Sequence, residues 1–231
     1  MRAWWTVAVF SMALLAGCSE SVQGQPVRAA RSESEQALPT SSELSQVLGI
    51  QLRSDSAVRA GSADVLRDSS NTVPLECVGV AHSGDRQTYK DARLHDAAQS
   101  SWITPGDRTQ TRVLISVVEF DSPQDASAWY AETAANWQRC QGVAVTQRSD
   151  AFTFTDSIHR VGEAAGVTSA ELLLSTADGL MTPTPHGRAL TVVSRYAADV
   201  EVLGDFDQEG SLHVDAAAIA RLVAIKVTSA R

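Results

Sequence analysis

From residue 151 to residue 205 the chain offers four strand-like segments in a row, AFTFTDS, SAELLLSTADG, ALTVVSRYA and DVEVLGD. Turn residues separate them and no helical pattern intervenes. Parallel neighbours need a crossover of a dozen or more residues, usually a helix, whereas antiparallel neighbours need only a tight turn. The run therefore argues against a doubly wound parallel sheet. It predicts an α+β fold: a single domain with a twisted, largely antiparallel sheet flanked by helices.

The rest of the chain supplies the flanks. TRVLISVVEF is β-branched and almost continuously apolar, which predicts a buried strand. It runs into SPQDASAWYAETAANWQRCQG, the strongest helical segment. Ser122 is a natural N-cap, Pro123 takes the first helical position and Gly142 closes the end. Ala126, Tyr130, Thr133, Trp137 and Cys140 share one face at helical spacing. TSSELSQVLG predicts another helix, with Thr40 and Glu43 at capping-box spacing and Gly49 as its stop. PLECVGVAH reads as a short strand ended by SGD. A last helix begins near Asp215, with Ala216, Ile219, Leu222, Val223 and the stem of Lys226 on its inward stripe. No internal repeat is present.

The N-terminus sets the compartment. Trp4 to Ala16 carries no charge and follows one basic residue, Arg2. That run is too short for a membrane-spanning helix, which takes about 20 residues, and suits the apolar region of a secretory signal. It ends in Leu15-Ala16-Gly17-Cys18, which resembles the bacterial lipobox. The resemblance implies that Cys18 receives a diacylglyceryl group and becomes the mature N-terminus; a plain secreted protein with a chance cysteine is the alternative. The expected organisation is a lipoprotein signal peptide over 1–17, a lipidated flexible tether over 18–39 and a folded domain over 40–231. Residues 19 to 39 are rich in Ser, Gln, Glu and Ala and have too little apolar surface to offset their ordering entropy. The expected location is the extracytoplasmic side of the cell membrane, with the bilayer as a partner through the acyl anchor. The mature chain has 18 basic against 27 acidic residues, a net charge of −9, which argues against nucleic acid as a partner.

With Cys18 assigned to lipid, Cys77 and Cys140 remain. Outside the cytoplasm a bonded pair is the first expectation and two buried free thiols the alternative. Their spacing excludes a CxxC motif, and two ligands are too few for structural zinc. A bond closing a loop of about 60 residues would stabilise the fold by roughly 4 kcal/mol in the chain-entropy model.

VPLECVGV, VVEFDSPQDASAWYAETAANWQRCQG, RALTVVSRYAADVEVLG and the C-terminal helix together resemble the PknH-like extracellular sensor domain. That domain occurs on a mycobacterial serine/threonine kinase and on free-standing lipoproteins. The resemblance spans about residues 41 to 229. It implies a twisted antiparallel sheet with flanking helices, a cleft for an unidentified ligand, and no enzymatic activity. It also implies a second disulfide, but the corresponding places here hold His186 and about Leu203. The half containing them is therefore expected to be looser than in relatives and to open a cleft more easily.

Motifs for chemistry are absent. No serine lies in a GxSxG elbow, neither Lys90 nor Lys226 follows a serine at SxxK spacing, and there is no HExxH or glycine-rich phosphate loop. The expectation is no catalysis, no cofactor and no metal. His82, His95, His159, His186 and His213 are scattered singly and read as surface or loop residues. DFDQEG, residues 205 to 210, reads as a solvated turn, too short in ligands for a calcium loop. Trp137 reads as core and Trp129 as the edge of the same face. Trp102, before a TPGD turn, and His186 are the weak candidates for ligand contact. The expected function is binding or sensing of a small or lipidic envelope ligand in a cleft. The alternative is a structural or protein-partner lipoprotein with no small-molecule ligand.

Overall fold

The computed structural model describes residues 31–106, 111–149, 152–179, 181–204 and 212–229. Cys18, the lipobox and the DFDQEG segment lie outside them, as does the side chain of His213. The strands are β1 (Arg53–Ser54), β2 (Arg59–Gly61), β3 (Thr72–Val73), β4 (Leu94–Ile103), β5 (Arg112–Phe120), β6 (Ala144–Arg148), β7 (Thr153–Ala164), β8 (Val167–Thr176), β9 (Thr184–Val193) and β10 (Tyr196–Leu203). The helices are α1 (Glu33–Ala37), α2 (Ser41–Leu48), α3 (Val78–Ala81), α4 (Arg86–Tyr89), α5 (Pro123–Arg139) and α6 (Leu212–Ser229).

The ten strands form one sheet in the order β1-β4-β5-β10-β9-β8-β7-β6-β3, with β2 set against β4. Each of its ladders is antiparallel, as the consecutive run of strands predicts. The segment ALTVVSRYA is not one strand, however. It is the end of β9, a turn with Ser194 at φ 53°, and the start of β10. One face of the sheet is closed by α6, which packs on β8, β9 and β10; its Ala216, Ile219, Ala220, Val223 and Val227 share one apolar core with Val113, Ile115, Val117, Ala198, Val200 and Val202. Full burial of each such Val or Ile contributes about 1.5–3 kcal/mol. Helix α2 braces α6: its capping box is formed by Thr40 and Glu43, and Glu43 Oε1 accepts a 2.8 Å bond from Lys226 Nζ. Burial raises the Glu43 carboxyl, but the Lys226 and Thr40 bonds outweigh it and hold the group low.

Three expectations give way. The folded body starts before residue 40: α1 is capped by Ser32, and Ala37 and Leu38 are buried in the α6-side core. Two apolar residues well placed are enough to dock a short helix that carries no periodicity. PLECVGVAH is not a strand but a turn of 3-10 helix (Leu75–Cys77) followed by α3. Tertiary contacts, including the bond at Cys77, override its β-branched composition. His82 and His186 are not surface residues; they are 5% and 4% exposed. His95 and His159 are exposed as expected.

Candidate functional site

The other face of the sheet is covered by α5 and by the segment 75–93, and a cleft of about 660 Å³ lies between these two walls. Helix α5 forms as its sequence predicts: Ser122 Oγ accepts from Asp125 N–H, Pro123 opens the helix, and Ala126, Thr133 and Trp137 are buried. The lining runs from Asp125 to Arg139, about 20 Å of helix. The walls are tied together along that length. At the C-terminal end of α5 the Cys77–Cys140 disulfide joins them, with Cα atoms 5.7 Å apart. Near it the Asn136 amide donates to the Glu76 carbonyl. Midway, Trp129 Nε1 donates to the Thr88 carbonyl at 3.1 Å. At the N-terminal end Arg93 Nη2 meets Asp125 Oδ1 at 2.6 Å.

Aromatic rings and polar groups share the lining. Trp129 stacks on Tyr89 with centroids 4.7 Å apart, and Phe120 lies 5.2 Å from it. Glu76, Asp91, Glu132 and Lys90 line the cleft with no ion-pair partner among the described residues. Trp137 is only 1% exposed, yet among the described residues its indole N–H has no hydrogen-bond partner, and the Thr88 hydroxyl is likewise unpartnered. Such buried polar atoms cost stability when left alone. Gly79 is required by close approach, because a Cβ there would meet Thr88 Oγ1 at 2.6 Å.

Behind the 75–93 wall lies a buried polar cluster rooted in the sheet. Arg188, fully buried, donates from Nε to the Val80 carbonyl at 3.0 Å and from Nη2 to the Gly79 carbonyl at 2.9 Å. Its Nη2 also meets Asp199 Oδ1 at 2.8 Å, and Nη1 donates to the Val200 carbonyl. The guanidinium carbon sits 5.4 Å from the Trp137 ring centroid, a cation–π contact on the far side of the cleft lining. Asp199 Oδ2 accepts from Gly84 N at 2.8 Å and from Tyr89 Oη at 3.0 Å. Burial first, and then the Asp199 charge, push the Tyr89 phenol well above its usual range. Glu201 Oε2 accepts from Ser83 N at 2.9 Å and lies 3.5 Å from Arg67 Nη1. Burial raises the Glu201 carboxyl, but the charges of Arg67, His186, Arg188 and His82 overcome it and hold it down to about 2. His186 Nδ1 lies 2.7 Å from Asp156 Oδ1. Gly84 has φ 57° and sits where any Cβ would overlap Ser116 and Gln99, so glycine is needed twice over.

The model of the PknH-like extracellular domain matches residues 29–224. This chain belongs to that family. The fold agrees: the crystal structure of the extracellular domain of PknH from Mycobacterium tuberculosis superposes with a TM-score of 0.70 at 21% identity. The match covers 84% of this chain and 93% of that one, and at this identity it speaks to fold alone. An X-ray structure of an uncharacterized protein from Mycobacterium smegmatis matches at a TM-score of 0.37 and 10% identity, over 81% of this chain and 94% of that one, and carries no argument. No curated protein sequence matches the chain.

Within this PknH-like domain the cysteines are where the sequence puts them, joined as one bond from Cys77 to Cys140. His186 and Leu203 are direct cross-strand partners on β9 and β10, so the places of the second disulfide are occupied by facing residues. They do not line the cleft. His186 is packed and hydrogen-bonded, so, contrary to expectation, the cleft does not open beside these two residues. Trp102 is corrected too: it is 4% exposed and buried in the α6-side core, not in a cleft or on a partner surface. The rings that do line the cleft are Trp129, Trp137 and Phe120. The helical register of α5 carried that signal, since the face next to a buried Trp must meet something. Among the described residues no group of three or more His, Cys, Asp or Glu could hold a metal ion, and no helix is long and apolar enough to cross a membrane.

Proposed function

We propose that this PknH-like domain is an extracytoplasmic sensing module, held at the membrane through a lipidated Cys18, that binds a small envelope molecule in the cleft without transforming it. One observation carries the reading: Trp137 lines the cleft beside Trp129 and Phe120, and its buried indole N–H has no hydrogen-bond partner among the described residues. Ligand sites commonly combine aromatic surface with a few placed polar groups. The carboxylates of Glu76, Asp91 and Glu132 beside Lys90 leave the lining acidic and rich in acceptors. That chemistry favours a hydroxyl-rich or polar headgroup over a bare acyl chain, and it disfavours a polyanion.

The test is native mass spectrometry of the protein purified from its own organism, followed by titration of the ligand found. Trp137→Phe keeps a ring in place and deletes the N–H; it is expected to weaken binding about 2- to 12-fold, the value of one hydrogen bond. Unchanged affinity, or no retained mass, removes the reading. Cys18→Ala is expected to release the protein from the detergent phase; retention there refutes the anchor. The exposed Val73 and Leu75, the latter on the cleft lining, favour one second reading, in which a protein partner covers the cleft mouth.

A further inference from the structure

The cluster behind the cleft contains an imbalance of charge. Asp85, Asp156, Asp199 and Glu201 are four buried carboxylates, and the guanidiniums among them are two, Arg67 and Arg188. Two imidazoles, His82 and His186, are buried in the same cluster. His186 is paired with a carboxylate, its Nδ1 2.7 Å from Asp156 and its Nε2 3.9 Å from Glu201. His82 is not. It is 5% exposed, its Nε2 has no hydrogen-bond partner among the described residues, and it faces Arg67 and His186 as well as Glu201 and Asp156. A proton on His82 places positive charge in a buried site beside the Arg67 guanidinium, with no carboxylate in ion-pair contact among the described residues.

His82 also occupies a mechanical position. Its N–H closes α3 on the Val78 carbonyl at 2.8 Å. The next two amides, Ser83 and Gly84, are the ones that Glu201 and Asp199 accept. Val78 and Gly79 at the start of α3, and Gln87 and Thr88 in α4, line the cleft. A buried imidazole without an ion-pair contact among the described residues therefore lies on the strut that fastens the cleft wall to the sheet.

We propose that the cleft is gated by acid: protonation of His82 releases the wall segment Val78–Tyr89 from its carboxylate anchors, and the cleft loses its binding shape. The proposal rests on the reading of the cleft as a binding site, and it adds the condition under which that site changes. Burial first, and then the Arg67 charge, lower the imidazole from its usual 6.5 to about 4, against the opposing pull of Glu201 and Asp156. A released wall exposes His82 and lets it bind a proton near its ordinary value. The closed wall is then fully favoured above the ordinary pKa and loses ground steadily as pH falls from there towards 4.

Hydrogen exchange of the full-length protein reads this directly, with no ligand present. Between about pH 6.5 and about pH 4.5, and after correction for intrinsic rates, opening of amides 78–89 is expected to rise on the order of tens of fold. Amides of β5, β10 and α6 are expected to hold steady. In His82→Gln, whose side chain takes no proton, the rise disappears. A pH-independent wall, the same rise in His82→Gln, or a rise shared equally by the whole sheet overturns the proposal. If His82→Gln does not fold, the ring resonance of His82 in the native protein decides. A midpoint well below 6.5, moving with the wall amides, supports the gate, and an ordinary midpoint ends it. Because no ligand enters the measurement, a negative result leaves the binding reading intact, and failure to capture a ligand leaves the wall result intact.

Discussion

On the face covered by α6, strands β5 and β10 present Val113, Ile115, Val117, Ala198, Val200 and Val202, and the core there is largely apolar, with the buried Glu119 paired to Arg195 at one end of β5. On the opposite face the same two strands present Ser116, Asp199 and Glu201, all buried. The α6 face gains stability from area, which is non-directional and tolerant of small changes. The α5 face holds its covering segment by directed bonds between Arg188, Asp199, Glu201 and the backbone of residues 79–84. A cluster of that kind contributes little net stability but allows one geometry only. The cleft lies on the directed side, where a wall must be positioned and not merely covered.

The sharpest way to break this contrast is Arg188→Met. It leaves Asp199 buried without its partner and strips two wall carbonyls of their donor, so it is expected to cost about 3–5 kcal/mol. The counterpart on the apolar face, Ile219→Val, is expected to cost about 1 kcal/mol. Urea denaturation at neutral pH measures both. Equal costs would mean that the wall is held by contact area after all.

Reduction of Cys77–Cys140 comes next. The bond closes a separation of 63 residues and ties the two walls of the cleft at one end. Its loss is expected to cost about 2–4 kcal/mol. Exchange protection should fall first in residues 75–93 and in the last turns of α5, while α6 keeps its protection. A uniform loss across both faces would show that the disulfide serves the whole fold and not the cleft.

How legible these two faces were differs with the physics. The consecutive strands set the antiparallel sheet, and the caps at Ser122 and Thr40 set α5 and α2, because local rules govern both. DVEVLGD is different. Alternation separates Val200 and Val202 from Asp199 and Glu201, but a period of two does not tell solvent from a second buried layer. Arg188 and His186 carry the same ambiguity, since their partners lie on other strands and in the 75–93 segment. LHDAAQSSWI gave no strand signal because its small residues lack β-branching, yet it is β4, with Ala97, Ala98 and Gln99 almost fully buried. PLECVGVAH shows the converse, where strand-like composition was overruled by the disulfide at Cys77 and by Arg188 beneath the α3 carbonyls. The cleft was legible only as a consequence of family resemblance, and its position was not.

The smallest expected effect is also the most discriminating. His186→Cys with Leu203→Cys restores the second bond of the family at two directly opposed residues of β9 and β10. Opposed residues in an antiparallel ladder have Cα atoms about 4.5–5.5 Å apart, within the range a disulfide accepts. Closing so short a hairpin is worth about 3 kcal/mol. The same change removes the imidazole that Asp156 contacts at 2.7 Å and leaves that buried carboxylate without its partner, a penalty of about 1–3 kcal/mol. The two contributions nearly cancel, so the oxidised double variant is expected to unfold within about 1 kcal/mol of the parent chain, and the reduced form well below it. Adding Asp156→Leu removes the stranded carboxylate and should recover most of the gain from the new bond. If the oxidised double variant already shows the whole gain, Asp156 does not depend on His186, and the directed network ends at Glu201. If the triple variant is needed, the network reaches from the cleft wall to β7, and the position that relatives give to a cysteine is here part of the cluster that holds the wall.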